Sequence, residues 1–123
     1  GRIEYKLFLT NKDYSRYRFP MRKLLSIKEY PRSDNQVFML YAQGADVTDF
    51  LVCRGGGGDN IKGRKKFLEI LDTRYEEGWD SAFRKHYNID INELERLWLA
   101  DLNKRIEEYE KTGNTDDLFP CAN

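Results

Sequence analysis

A single histidine, His86, and two cysteines, Cys53 and Cys121, are the only imidazole and thiol groups in this 123-residue chain. A catalytic zinc site takes three protein ligands, commonly two histidines on one helical turn plus a carboxylate. No HExxH occurs, so the chain is expected to hold no metal of its own. His86 stands at the end of an amphipathic segment, where an imidazolium suits the negative end of a helix, and reads as a surface or last-turn residue. A serine or cysteine nucleophile needs a base beside it. Ser26, Ser33 and Ser81 instead have the surroundings of turns and caps.

Other groupings resolve into scaffold. Gly58-Asp59-Asn60-Ile61-Lys62-Gly63-Arg64-Lys65 has the glycine spacing of a phosphate-binding loop. It lacks the lysine directly after the second glycine and the hydroxyl residue that would hold magnesium, and it follows a helix where such a loop follows a strand. A helix end and connector are expected there. Lys62 with Arg64-Lys65-Lys66 forms one basic cluster, and Arg16, Arg18, Arg22 and Lys23 another. Tyr14 and Tyr17 interleave the second, which makes Tyr14, Tyr17 and Arg18 candidate binding residues. Glu76-Glu77 and Asp116-Asp117 lie beside turns and read as solvated carboxylates. Tyr41 remains. A tyrosine in an apolar helical stripe is usually core, with its hydroxyl bonded at the periphery.

These residues must be positioned by elements legible from periodicity. Ile3, Tyr5, Leu7 and Leu9 alternate with Glu4, Lys6 and Phe8, which predicts a strand over Arg2–Leu9. A polar, tyrosine-rich loop follows over Thr10–Phe19. Pro20 suits the first turn of a short helix, Met21–Leu25, anchored by Leu24, Leu25 and Ile27, and Tyr30-Pro31 closes that piece. Ser33 or Asp34 caps the next helix. Its stripe Val37, Leu40, Tyr41, Gly44, Val47, Thr48, Leu51 is expected to face inward, with Gln36, Gln43, Asp46 and Asp49 outward. The run Gly55–Gly58 ends it.

A third helix is expected over Asp59–Tyr75, with Ile61, Phe67, Leu68 and Leu71 inward. A short fourth carries Trp79 and Phe83 and ends near Tyr87. Asp90-Ile91-Asn92-Glu93 is a capping box opening a fifth helix. That helix buries Leu94, Leu97, Trp98, Leu102 and Ile106, turns Arg96, Lys104, Arg105, Glu107 and Glu108 to water, and ends at Gly113. The expected fold is therefore mainly α: an irregular bundle of four or five helices with a short N-terminal strand or hairpin. Its core is expected to comprise Leu40, Tyr41, Val47, Leu51, Phe67, Leu71, Trp79, Phe83, Leu94, Leu97 and Trp98. Residues 1–113 would form one domain and 114–123 a partly disordered tail.

Composition narrows the class. Charged residues make up 34% and hydrophobic ones 40%, as in globular domains, and 21 basic residues balance 21 acidic ones. That balance gives no general attraction to nucleic acid or anionic membrane, and no apolar run approaches the roughly 20 residues that span a bilayer. No signal-peptide pattern opens the chain, and Gly1 before a strand-like run suggests a natural start further upstream. A disulfide between Cys53 and Cys121 requires the tail to fold back over the end of the long helix. Two unpaired thiols, with Cys53 buried as a small hydrophobe, is the simpler expectation. The compartment stays open.

Within Phe38–Val52, the segment Leu40-Tyr41-Ala42-Gln43-Gly44-Ala45-Asp46-Val47 resembles the Tyr-x-x-Gly-x-x-Val helix of gluzincin aminopeptidases and their peptidase-MA-like relatives. A second segment, Phe67–Leu102, with Gly78-Trp79, Ala82-Phe83, Tyr87, Leu94-Glu95 and Trp98-Leu99, is similar to the C-terminal helices of a bacterial peptidase-MA-like family of unknown function. Pro20–Leu25 and Tyr30-Pro31 fit the loop before the tyrosine helix in that family. The resemblance spans most of residues 19–102.

It implies hydrolysis of a peptide bond by zinc-bound water, with Tyr41 hydrogen-bonding the oxyanion. The HExxH helix and the later glutamate ligand would lie upstream of Gly1, so zinc is implied only for a full-length parent. Gln43 stands where the aminopeptidases often carry a lysine. The expected function is a helical C-terminal subdomain of a zinc metallopeptidase-like protein, inactive alone, whose partner is the missing N-terminal part of the parent. The alternatives are a non-catalytic helical module that holds a peptide or protein through Tyr14–Phe19, and a structural domain without a ligand.

Overall fold

The structure, a computed structural model, describes residues 2–121. Gly1 and the last two residues of the expected tail, Ala122 and Asn123, lie outside the described residues. Six α-helices follow one another: α1 (Arg2–Thr10), α2 (Met21–Ser26), α3 (Asp34–Gly56), α4 (Asn60–Glu77), α5 (Trp79–Tyr87) and α6 (Ile91–Thr112). Short 3-10 turns occupy Ser15–Tyr17 and Thr115–Leu118. Among the described residues there is no strand, and no helix is long and apolar enough to cross a membrane.

The N-terminal strand expected over Arg2–Leu9 is a helix. Its alternation is also compatible with a helical face, and that face wins. Lys6 and Leu9 are buried, while the rings of Tyr5 and Phe8 pack on Phe38 of α3 at 5.1 and 4.7 Å. Ile3 and Leu7, which alternation had grouped with Leu9, are exposed.

Local chemistry sets the remaining ends. The Ser33 hydroxyl accepts from the Gln36 N–H and starts α3. Gly57, at φ 58°, stops it in the left-handed conformation that glycine adopts without a Cβ penalty. Asp59 caps α4 through the N–H groups of Ile61 and Lys62. Asp90 caps α6 by accepting from Glu93 N–H at 2.8 Å. The Glu93 carboxylate turns to Arg96 rather than back to the cap. Pro20 at the start of α2 brings no capping side chain, and Glu95 of α6 supplies one from afar by accepting from Met21 N–H at 2.6 Å. Trp79 closes the other end of α2, donating to the Leu25 carbonyl at 2.9 Å.

α3 is the central strut, flanked by α1 and α4, with α5 packed on α4. α3 and α4 cross where glycines let backbones meet. A Cβ on Gly63 would stand 1.9 Å from the Val52 carbonyl oxygen, closer than any side chain can sit. The inner face of α4 therefore runs through Gly63, Phe67 and Ile70. Ile61, Leu68 and Leu71, expected inward, are exposed, and Leu68 borders a hollow beside Phe67 and Phe119.

The core gathers Leu9, Met39, Phe50, Leu51, Ile70, Phe83, Leu94, Trp98 and Leu102. Tyr41 and Leu71, placed in the core by periodicity, are exposed. Full burial of a large apolar side chain contributes about 1.5–3 kcal/mol, and the fully buried Trp98 and Phe83 are the largest such residues.

The expected loose tail is folded as far as it is described. Leu118 is fully buried, and Cys121 is joined to Cys53 by a disulfide with the Cα atoms 5.9 Å apart. The chain folds back over the end of α3, so neither thiol is free.

Candidate functional site

Two polar clusters compete for attention, and only one is open. The closed one centres on Asp46, which has no exposed surface. Arg105 Nη1 and Nη2 donate to its two oxygens at 2.9 and 2.8 Å. Trp98 Nε1 donates at 2.8 Å, and the Lys6 ammonium adds a further ion pair. Arg105 also donates to Asp101 at 2.8 Å and to the Leu118 carbonyl at 2.7 Å. Burial by itself pushes the Asp46 carboxyl up, but the hydrogen bonds and charges of Arg105 and Lys6 outweigh it and hold it below its ordinary value.

One turn earlier, Gln43 clamps the backbone of Phe19. Its Oε1 accepts from the Phe19 N–H and its Nε2 donates to the Phe19 carbonyl, both at 2.8 Å. Among the described residues no buried side-chain polar atom lacks a partner. Sealed from the surface, with each buried side-chain polar atom partnered, this cluster fastens α1, α3, α6 and the tail together.

Asp46, Gln43 and Arg105 were all expected to face water. The signal for them lies in spacing. Met39, Gln43, Asp46 and Phe50 recur at four, three and four residues, as do Leu94, Trp98, Leu102 and Arg105 at four, four and three. A basic residue on such a stripe calls for a buried acid, and a buried indole N–H calls for an acceptor.

The open cluster lies on the other side of α3. Three adjoining hollows share Thr48 and form a groove along Leu40, Tyr41, Gly44, Thr48 and Val52. One wall is α1, through Arg2 and Tyr5. The other is α2 and α5, through Leu24, Leu25, Trp79 and Phe83, continued by Phe67 of α4. The widest part, about 680 Å³, is bordered by Asn60, Arg64, Phe119 and the disulfide. Arg2 and Asp49 pair across its edge at 2.7 Å. Gly44 keeps the floor low, because a Cβ there would meet nothing within 4 Å.

Tyr41 stands five residues before Asp46, about 140° around the helix, which is why it is 46% exposed while Asp46 is sealed. Its hydroxyl donates to the Tyr30 hydroxyl at 2.7 Å, and that bond raises its pKa above the ordinary phenol value. The group is therefore a neutral donor throughout the physiological range.

The other predicted site residues lie elsewhere. Tyr14 stacks on Phe8 with centroids 4.5 Å apart. Tyr17 carries Arg16 over its ring at 4.7 Å. Arg18 donates twice to the Leu9 carbonyl, at 3.1 and 2.7 Å, and finishes α1. None of the three borders the groove.

His86 Nε2 lies 2.7 Å from the Thr73 hydroxyl, and its Nδ1 lies 3.9 Å from Glu69. Both cysteines are consumed by the disulfide. No group of three or more His, Cys, Asp or Glu among the described residues could hold a metal ion. No protein-family model, curated protein or solved structure matches this chain.

Proposed function

We propose that this chain is the helical C-terminal subdomain of a zinc metallopeptidase-like protein of the gluzincin type, forming one wall of a substrate cleft and inactive by itself. The observation that supports this reading is Tyr41, a half-exposed neutral phenol at the rim of a groove whose floor is the helix carrying the Tyr-x-x-Gly-x-x-Val pattern. A carbonyl oxygen lying over Gly44 can accept from the Tyr41 hydroxyl once that bond to Tyr30 is exchanged. A donor aimed at a developing oxyanion lowers the barrier to acyl transfer. The metal would have to be held by residues outside this chain, and no step through it follows from the residues present.

The test is the parent protein. Its reading frame upstream of Arg2 is expected to encode HExxH followed by a glutamate on a helix. In that protein Tyr41→Phe should lower kcat for peptide hydrolysis by roughly 10²–10³-fold with zinc content and melting temperature unchanged. A parent without the motif, or an unchanged kcat, ends the reading.

A second reading keeps the groove without the chemistry: a module that holds a peptide along α3. Its support is the apolar wall of Leu24, Leu25, Trp79 and Phe83 opposite the charged Arg2–Asp49 edge. Gly44→Trp would fill the floor. Peptide titrations followed by Trp79 fluorescence should lose their signal in that variant, and persistence of the signal would rule the groove out.

A further inference from the structure

The outer face of α4 carries four exposed large apolar side chains. Ile61, Leu68 and Tyr75 recur every seven residues and are 84%, 61% and 86% exposed, with Leu71 beside them. At 100° per residue the three sevenfold positions fall within about 40° of one another. They lie opposite the Gly63–Ile70 face that packs on α3. The seam of a helix pair takes an apolar residue alternately three and four positions apart; Leu68, Leu71 and Tyr75 keep that spacing, and Ile61 lies a further seven residues before Leu68 with Arg64 between.

Charge along the same helix is segregated. The first half carries Lys62, Arg64, Lys65 and Lys66; the second carries Glu69, Asp72, Glu76 and Glu77, with Arg74 as the sole cation. Arg64, Lys65 and Asp72 flank the apolar stripe, and their side chains make no ion pair or hydrogen bond within the chain. A surface that is apolar along its length and opposite in charge at its two ends is complementary to itself when inverted.

We infer that α4 is the interface of a two-fold symmetric homodimer in which two copies of α4 pack antiparallel about Leu68. Leu68 then meets Leu68, Ile61 meets the partner subunit's Tyr75, and Lys65 meets the partner subunit's Asp72, twice over by symmetry. The parallel arrangement would set the basic halves against each other, so charge selects the antiparallel one. Arg64 and Leu68 also border the widest end of the groove, but the inference takes nothing from the peptidase reading, which rests on Tyr41 at the other end.

Sedimentation equilibrium of the disulfide-intact chain is expected to show a mass that doubles with concentration. Lys65→Asp and Asp72→Lys should each weaken the dimer at least tenfold. The double variant should restore it, because the pairs are merely exchanged. Leu68→Glu should give a monomer with an unchanged circular-dichroism spectrum. Oxidation of Leu68→Cys should give a covalent dimer, whereas Ile61→Cys should not, since its two copies would lie about 20 Å apart. A chain that stays monomeric at every concentration overturns the inference. So does a dimer indifferent to Leu68→Glu, or one that cross-links through Ile61→Cys.

Discussion

The two long faces of α3 run side by side for the length of one helix and are built on opposite principles. The inner face carries polar groups, Gln43 and Asp46, among Met39, Val47 and Phe50, and it is the sealed one. The outer face carries Leu40, Tyr41, Gly44 and Thr48, and it is the open one. Polarity alone would have assigned them the other way round. What decides burial is whether a residue's partners converge on it. Asp46 draws a cation from α1, a cation and an indole from α6, and through Arg105 the tail. Tyr41 draws only another exposed tyrosine. A buried charge with good partners is costly to break, whereas an apolar stripe without partners is a surface held in reserve.

The contrast can be attacked at both faces. The largest effect is expected at Asp46. Asp46→Ala leaves Lys6 and Arg105 buried without an acid and should cost about 3–5 kcal/mol in urea denaturation. The same carboxylate sets a pH limit. Its folded pKa is depressed, so its stabilisation is fully present above the ordinary carboxyl range, near 4, and is lost as pH falls through the depressed value. Thermal melts should be flat from neutral pH down to that range and fall below it, with a shallower fall in Asp46→Asn.

Next comes the tail. Cys121→Ser should lower stability by about 2–4 kcal/mol, because a disulfide closing a long loop restricts the unfolded chain. Gln43→Met should cost about 1–3 kcal/mol by orphaning both backbone groups of Phe19. The smallest effect belongs to the open face: Tyr41→Phe should change stability by no more than about 0.5 kcal/mol. If Tyr41→Phe destabilises as much as Asp46→Ala, the distinction between the faces collapses.

Much of the bundle was legible because helix ends and strong stripes are local. Ser33, Asp59, Asp90 and Gly113 cap or end helices as their types suggest. Leu94, Trp98 and Leu102 lie buried along α6 as their spacing requires. The misreadings share one cause: the deciding partner was far away in sequence. Lys6 is buried because Asp46 lies 40 residues on, and a helix rather than a strand delivers it there. Arg105 is buried for the same acid, 59 residues back. Ile61 and Leu68 are outside because Gly63 chose the other face of α4 for a backbone crossing that no side chain could permit. The candidate residues Tyr14, Tyr17 and Arg18 were grouped by composition, but their neighbours are the end of α1 and each other's rings.

The bond between Cys53 and Cys121 spans 68 positions of the chain, and it also governs how the molecule answers to tension. A pull applied at Arg2 and Cys121 would be handed from the tail directly to the end of α3, bypassing α4, α5 and α6. Only the segment up to Cys53 could be drawn out. Roughly 240 Å of contour length, at about 3.6 Å per residue, would stay coiled behind the sulfurs, to be released in a second step only when a reductant cuts them.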